Sequence, residues 1–178
     1  MKPYNAILKI LLAILVLYGC YLFWAIIAFG GGCNKMTPEK HILPNGYTGK
    51  VYIFFDQQEG RRSDYSQNSR LYRIPESGVL RSKFKPNSGW IDSKEDLNFY
   101  YNKEDSLKQL KKFNIPEIDN TANLDSNTVI VYDYGIGVGW EVLGQGEINT
   151  VTYIVDSLKN FRKKDYELTK EKFENWDN

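Results

Sequence analysis

Carboxylates are scattered along the chain, among them Asp56, Asp64, Asp92, Asp133, Glu141, Glu147 and Asp156. A glycan-processing hydrolase needs two acidic groups facing one sugar across a cleft. Asp56 and Asp133 are the pair that could converge, because each lies at the end of an apolar run, Lys50–Asp56 (KVYIFFD) and Thr128–Tyr134 (TVIVYDY). Strand-end aspartates are also ordinary turn residues, so this pair defines an alternative rather than the leading reading. The single histidine, His41, has no second histidine and no cysteine nearby except Cys33. It is expected to be a solvated linker residue, not a metal ligand or base. No Gly-x-Ser-x-Gly elbow is present, so a serine hydrolase has no support. The glycines of Gly135–Gly146 (GIGVGWEVLGQG) lack the spacing and the following helix of a dinucleotide fingerprint. They read as a twisted hairpin connection.

Two further sets suit recognition. Arg61 and Arg62, with Tyr65, sit in the long polar stretch Gln57–Ser69. Paired guanidinium groups suit a carboxylate or phosphate partner, and loops on a rigid scaffold are where such domains bind. Trp90, Tyr100, Tyr101, Trp140 and Tyr153 could form an aromatic platform for sugar or peptide, although aromatic residues in strands usually belong to the core. Nothing in the sequence calls for a metal or a cofactor. A net charge of +1 supplies no field that would draw nucleic acid.

The elements that must position these residues are mostly strands. The chain carries 13 Tyr, 9 Phe and 4 Trp, a strand-rich composition. Lys50–Asp56 is the clearest strand, apolar on both faces. Arg70–Phe84 reads as a β-hairpin, with Pro75 ending one strand and Glu76-Ser77-Gly78 turning the chain. Leu97–Tyr101, Thr128–Tyr134 and Glu147–Val155 follow as strands, while Leu107–Phe113 fits a helix or a strand equally. Turns at short intervals between these runs predict an all-β fold, a small β-sandwich. Asn160–Asn178 alternates charges and reads as a solvated helix or tail.

Location is set by Ile10–Phe29, which holds no charge over about the 20 residues a helix needs to cross a bilayer core. Lys2, Lys9 and the terminal amine precede it; Lys35, Lys40 and Glu39 follow. The positive-inside rule keeps the amino end cytoplasmic and the domain outside. The run exceeds the 7–15 apolar residues of a typical cleaved signal, which favours a retained anchor. Leu17-Tyr18-Gly19-Cys20 is lipobox-like but would leave an apolar stretch after the lipid. Gly30-Gly31-Gly32-Cys33 has the small residues that lipoprotein processing needs, so Cys33 is the candidate site of lipid attachment. No cysteine follows it, so an exported domain would stand without a disulfide.

The motifs Leu43-Pro44-x-Gly46-Tyr47-x-Gly49-x-Val51, Tyr72-Arg73-Ile74-Pro75 and Gly78-Val79-Leu80 resemble a family of uncharacterised bacterial envelope proteins, classed as a domain of unknown function. That resemblance implies a small β-sandwich ectodomain behind a signal sequence or lipobox, with no catalytic residues to transfer. The expected organisation is a membrane anchor at 1–33, a tether at 34–41, the β-sandwich at 42–156 and a charged helical tail at 157–178. The expected function is a non-enzymatic binding or scaffold module of the cell envelope, held to the membrane by residues 10–29, with a protein or glycan partner. An envelope hydrolase and a toxin-binding immunity-type protein are the alternatives.

Overall fold

The computed structural model describes residues 3–29, 34–104, 106–113, 124–139, 147–161 and 170–176. They divide into two compact units, Met1–Lys35 and Met36–Asn178. The first is α1 (Pro3–Phe29). Proline opens it, at the one helical turn where a missing N–H costs nothing. At 1.5 Å per residue, its 27 residues reach about 40 Å, against a hydrocarbon core of about 30 Å. Ile7–Ala25 has a mean hydropathy of 2.2 and none of it is buried. A helix that is apolar all the way round suits lipid.

The second unit runs β1 (Glu39–Pro44), β2 (Gly49–Phe54), β3 (Tyr65–Ser66), β4 (Ser69–Arg73), β5 (Val79–Arg81), β6 (Leu97–Lys103), β7 (Ser106–Gln109), β8 (Lys111–Lys112), β9 (Val129–Gly139), β10 (Ile148–Ser157) and a short helix α2 (Lys170–Glu174). These strands make two five-stranded sheets, β3-β4-β1-β6-β7 and β5-β2-β10-β9-β8. Both are mixed, not antiparallel. In the first, β1 is the middle strand and lies parallel to both neighbours: His41 faces Tyr72 of β4 and Phe99 of β6. In the second, β10 runs antiparallel to β2 and β9.

Several sequence expectations change. The tether assigned to 34–41 already contains the start of β1. Met36 is buried, and its N–H donates to the Trp90 carbonyl at 2.9 Å. Arg70–Phe84 is not a hairpin. β4 joins β1 in one sheet, while β5 joins β2 in the other. Gly78, at φ 76°, helps turn the chain from the first sheet to the second. Gly135–Gly146 is not all connection either. Gly135 and Gly137 belong to β9 and pair with Thr152 and Thr150; residues 140–146 lie outside the described residues. Gln57–Ser69 ends in β3 and the turn into β4, made by Gln67 and Asn68, both left-handed at φ 50° and 63°.

Instead of a solvated tail, the described C-terminal part is packed down. Phe173 meets the Phe54 ring edge-on at 4.8 Å, and Ser77 Oγ donates to the Trp176 carbonyl at 2.8 Å. Both rings are buried. An alternating-charge segment hides this because, among its described residues, a few aromatic side chains such as Phe161, Phe173 and Trp176 carry the packing.

The recognisable motif is frame chemistry. Tyr47 Oη donates to the Lys50 carbonyl at 3.0 Å, and Tyr101 Oη donates to the Tyr47 carbonyl. A Cβ on Gly78 would lie 1.9 Å from Tyr47 Oη and 2.9 Å from the Lys50 carbonyl oxygen. Glycine is required at 78 because Tyr47 occupies the space where a side chain would stand.

Candidate binding site

β1, β4 and β6 finish at the same level. Ile42 pairs with Arg73, and Pro44 pairs with Asn102. Two residues beyond the Ile42–Arg73 pair, continuing the register brings Pro44 beside Pro75. Proline has no N–H to continue a ladder, so both strands stop together. A groove of about 360 Å³ opens there, lined by Ile42, Leu43, Pro44, Arg61, Arg73, Ile74, Pro75, Glu76 and Asn102. The floor is aliphatic and proline; the polar groups are two arginines, one glutamate and one amide.

Arg61 reaches this groove from the other sheet. Its N–H donates to the Arg81 carbonyl at 2.8 Å, and its carbonyl accepts from Lys83 N at 2.9 Å. Gly60 allows that approach, since a Cβ there would sit 2.8 Å from the backbone of Arg81 and Ser82. The Arg61 guanidinium lies 5.6 Å from the Trp176 ring centre, and Nη1 donates to the Arg73 carbonyl at 3.0 Å. The C-terminal contact therefore backs the arginine of the groove. Arg73 is exposed on the same wall, and its guanidinium makes no hydrogen bond or ion pair among the described residues.

Of the residues singled out by sequence, Arg61 lines the groove. Arg62 is exposed away from it, and Tyr65, 59% exposed, lies edge-on to Phe84 at 5.2 Å. Arg73, Glu76 and Asn102 were missed; the two apolar-Pro dipeptides, Leu43-Pro44 and Ile74-Pro75, were the available signal. Among the described residues, the aromatic set forms no platform. Tyr101 and Tyr153 are buried and Trp90 is exposed, Tyr100 lies beneath Lys40 at 5.9 Å, and Trp140 lies outside the described residues, as does Cys33. Asp56 follows β2 at φ 57°, and Asp133 occupies a bulge in β9 at φ 52°. Continuing the β2–β10 register puts Asp56 level with Ile148, while Asp133 lies beside Tyr153. Five residues along the sheet and two strands across it make roughly 19 Å. Paired glycosidase carboxylates stand about 5–9.5 Å apart, so these two do not form such a pair. Among the described residues, no three His, Cys, Asp or Glu side chains converge as a metal ion requires.

A second polar cluster lies inside the core. Far from being a solvated linker residue, His41 is 0% exposed, and Glu39 beside it is 1% exposed. Both belong to β1, on the same face as Leu43, so period-two alternation carries them inward. His41 Nε2 donates to Glu39 Oε2 at 3.1 Å, and Tyr134 Oη donates to the same oxygen at 3.1 Å. Asn87 Nδ2 donates to Oε1 at 2.8 Å, and Tyr72 Oη does so at 3.4 Å. Four donors match the acceptor capacity of one carboxylate. Burial pushes the Glu39 pKa up, but the His41 hydrogen bond and charge, then Asn87 and Tyr134, outweigh it and hold it below its usual value. The His41 ring stacks on Phe99 at 4.7 Å and meets the Tyr153 ring edge-on at 5.2 Å. Enclosed on all sides, the pair cannot meet a substrate. It ties the first sheet to the second.

Comparison with known proteins places the chain. No curated protein matches it. A crystal structure of a "Putative Lipoprotein from Bacillus anthracis" is similar, at 12% sequence identity and a TM-score of 0.47, over 76% of this chain and 84% of that one. A family model described as "Family of unknown function (DUF6843)" matches residues 35–173. That span holds both sheets, the groove and the Glu39–His41 pair, and the chain belongs to this DUF6843 family of unknown function.

Proposed function

We propose that the protein is a non-enzymatic binding or scaffold module of a bacterial cell envelope. In this reading the domain is a small β-sandwich, its two sheets closing over the aromatic cluster around His41. It stands outside the cytoplasm on a membrane anchor formed by α1. The observation that carries the binding role is the groove, where Arg61 is fixed in place by backbone bonds on both sides and by Trp176. Preorganised donors reduce the ordering cost of binding. A cysteine-free domain behind an apolar helix with lysines on its amino side supports the outward orientation.

Three measurements test this. Protease added to intact cells should degrade a C-terminal tag on the full-length protein; full protection places the domain inside and overturns the orientation. The full-length protein should turn over no member of a glycosidase and peptidase panel; turnover overturns the non-enzymatic role. A photo-crosslinker at Asn102 should trap a ligand in native cells that one at exposed Lys108 does not. Equal trapping at both positions removes the groove from the account. Anchor type is separable: fatty-acid labelling of wild type that disappears in Cys33→Ala would make Cys33 the lipid site, whereas an unlabelled wild type leaves the retained helix.

A further inference from the structure

The groove has a composition that selects among anions. Arg61 and Arg73 bring two guanidinium groups and Glu76 one carboxylate to the lining, and Arg73 is exposed there. One exposed guanidinium beside a carboxylate suits a monoanion. A dianion would leave charge unmatched and would meet Glu76 as a like charge. The volume, about 360 Å³, lies at the low end of small-molecule sites, so it takes the end of a chain and not a long segment. Strand addition is disfavoured here, because Pro44 and Pro75 offer no N–H to an incoming backbone. Recognition falls to side chains: guanidinium forks for two oxygens, the Asn102 amide for a neighbouring peptide group, and Ile42, Pro44 and Pro75 for a small apolar side chain.

We propose that the groove is a receptor for the free C-terminal carboxylate of a short peptide with a small apolar terminal residue, held by Arg61 and Arg73, with Glu76 disfavouring phosphate. This rests on the binding-module reading and names its ligand class. The carboxylate meets the guanidinium groups, the last side chain meets the proline floor, and the preceding amide meets Asn102.

Ligand-observed NMR on the full-length protein in detergent tests it with three probes: N-acetyl-dialanine with a free carboxylate, its C-terminal amide, and inorganic phosphate. Saturable millimolar binding of the free acid is expected, weakened about tenfold or more by amidation and by Arg73→Ala. Arg73→Lys should recover part of it. Phosphate should bind more weakly than the free acid to wild type, and Glu76→Gln should narrow the gap. Arg73 is exposed, so an unchanged melting temperature will show that Arg73→Ala is folded; Asn102→Ala provides a second variant. Equal binding of acid and amide, or tighter binding of phosphate, overturns the carboxylate assignment. So does the absence of saturable binding by the free acid. In that last case a ligand trapped at Asn102 in cells keeps the binding module, whereas no ligand there removes both.

Discussion

Gly78→Ala is the sharpest probe of how the domain is framed. Gly78 stands at φ 76°, and an added Cβ would approach Tyr47 Oη to 1.9 Å, Tyr47 Cζ to 2.9 Å and the Lys50 carbonyl oxygen to 2.9 Å. The left-handed backbone costs an alanine about 1–2 kcal/mol. Lys50 belongs to β2 and cannot yield, so Tyr47 must swing away and lose its hydrogen bond, at a cost of about 1 kcal/mol. Overpacking of the displaced ring adds about 1–3 kcal/mol. Alanine also restricts the unfolded chain, which returns about 0.4–1 kcal/mol. The net loss is about 2–6 kcal/mol, or roughly 6–18 °C in melting temperature for a domain of this size. Urea and thermal melts of the full-length protein, followed by tryptophan fluorescence, measure it. The decisive control is Gly78→Ala in a Tyr47→Ala background. There the ring is gone and the same substitution should cost less, keeping only the left-handed backbone part of about 1–2 kcal/mol and the 2.9 Å approach to the Lys50 carbonyl oxygen. A cost below about 1 kcal/mol in wild type, or an equal cost in both backgrounds, would refute the argument that Tyr47 is what demands the glycine.

Glu39→Gln should destabilise the domain by about 3–5 kcal/mol, because it leaves a polar cage without its anion; chemical denaturation measures the loss. The Glu39 pKa lies below the ordinary 4.5, so its contribution is fully present above about pH 4.5. It fades as pH falls through the folded value, and an acid melt of Glu39→Gln should lack that component. At the other end, burial and then the nearby Asp156 push the Tyr101 pKa up to about 12, and burial raises Tyr72, Tyr134 and Tyr153 as well. These groups hold protons that the unfolded chain releases near pH 10. Stability should therefore fall as pH rises above 10, with the buried tyrosinate absorbance appearing together with unfolding by circular dichroism. Gly60→Ala should displace the Arg61 segment from the Arg81–Ser82 backbone. It should cost about 1–3 kcal/mol and weaken acetyl-dialanine binding several-fold, readable by the same NMR titration.

Strands whose signal is local were legible. β2, β6 and β10 follow from runs of Val, Ile, Tyr and Phe bounded by turns. What escaped was pairing over distance. Arg70–Phe84 has every local mark of a hairpin, and nothing within it says that its halves find partners in different sheets. β9 continues through Gly135 and Gly137 because Thr152 and Thr150 lie opposite, a fact that the glycines do not carry themselves. His41 was misread for a related reason. One strand of six residues, bearing Glu and Lys, looks like a linker until two parallel neighbours enclose it. In the groove, Arg61 was legible as a residue but not as a site. Arg73, Glu76 and Asn102 converge with it only once β4, β1 and β6 end in register. The family resemblance proved correct, and its glycines and Tyr47 serve the frame.

The order of attachment along β1 has a mechanical consequence. The chain leaves the apolar unit at Lys35 and is fastened at once, by Met36 to Trp90 and by Asn87 to Thr37. It then becomes the middle strand of a sheet, with a parallel neighbour on each flank. The groove lies at the opposite end of that same strand. A force applied between the two ends of β1 runs lengthwise along the strand. It loads the hydrogen bonds of both flanks together, in shear, and peels none of them from an edge.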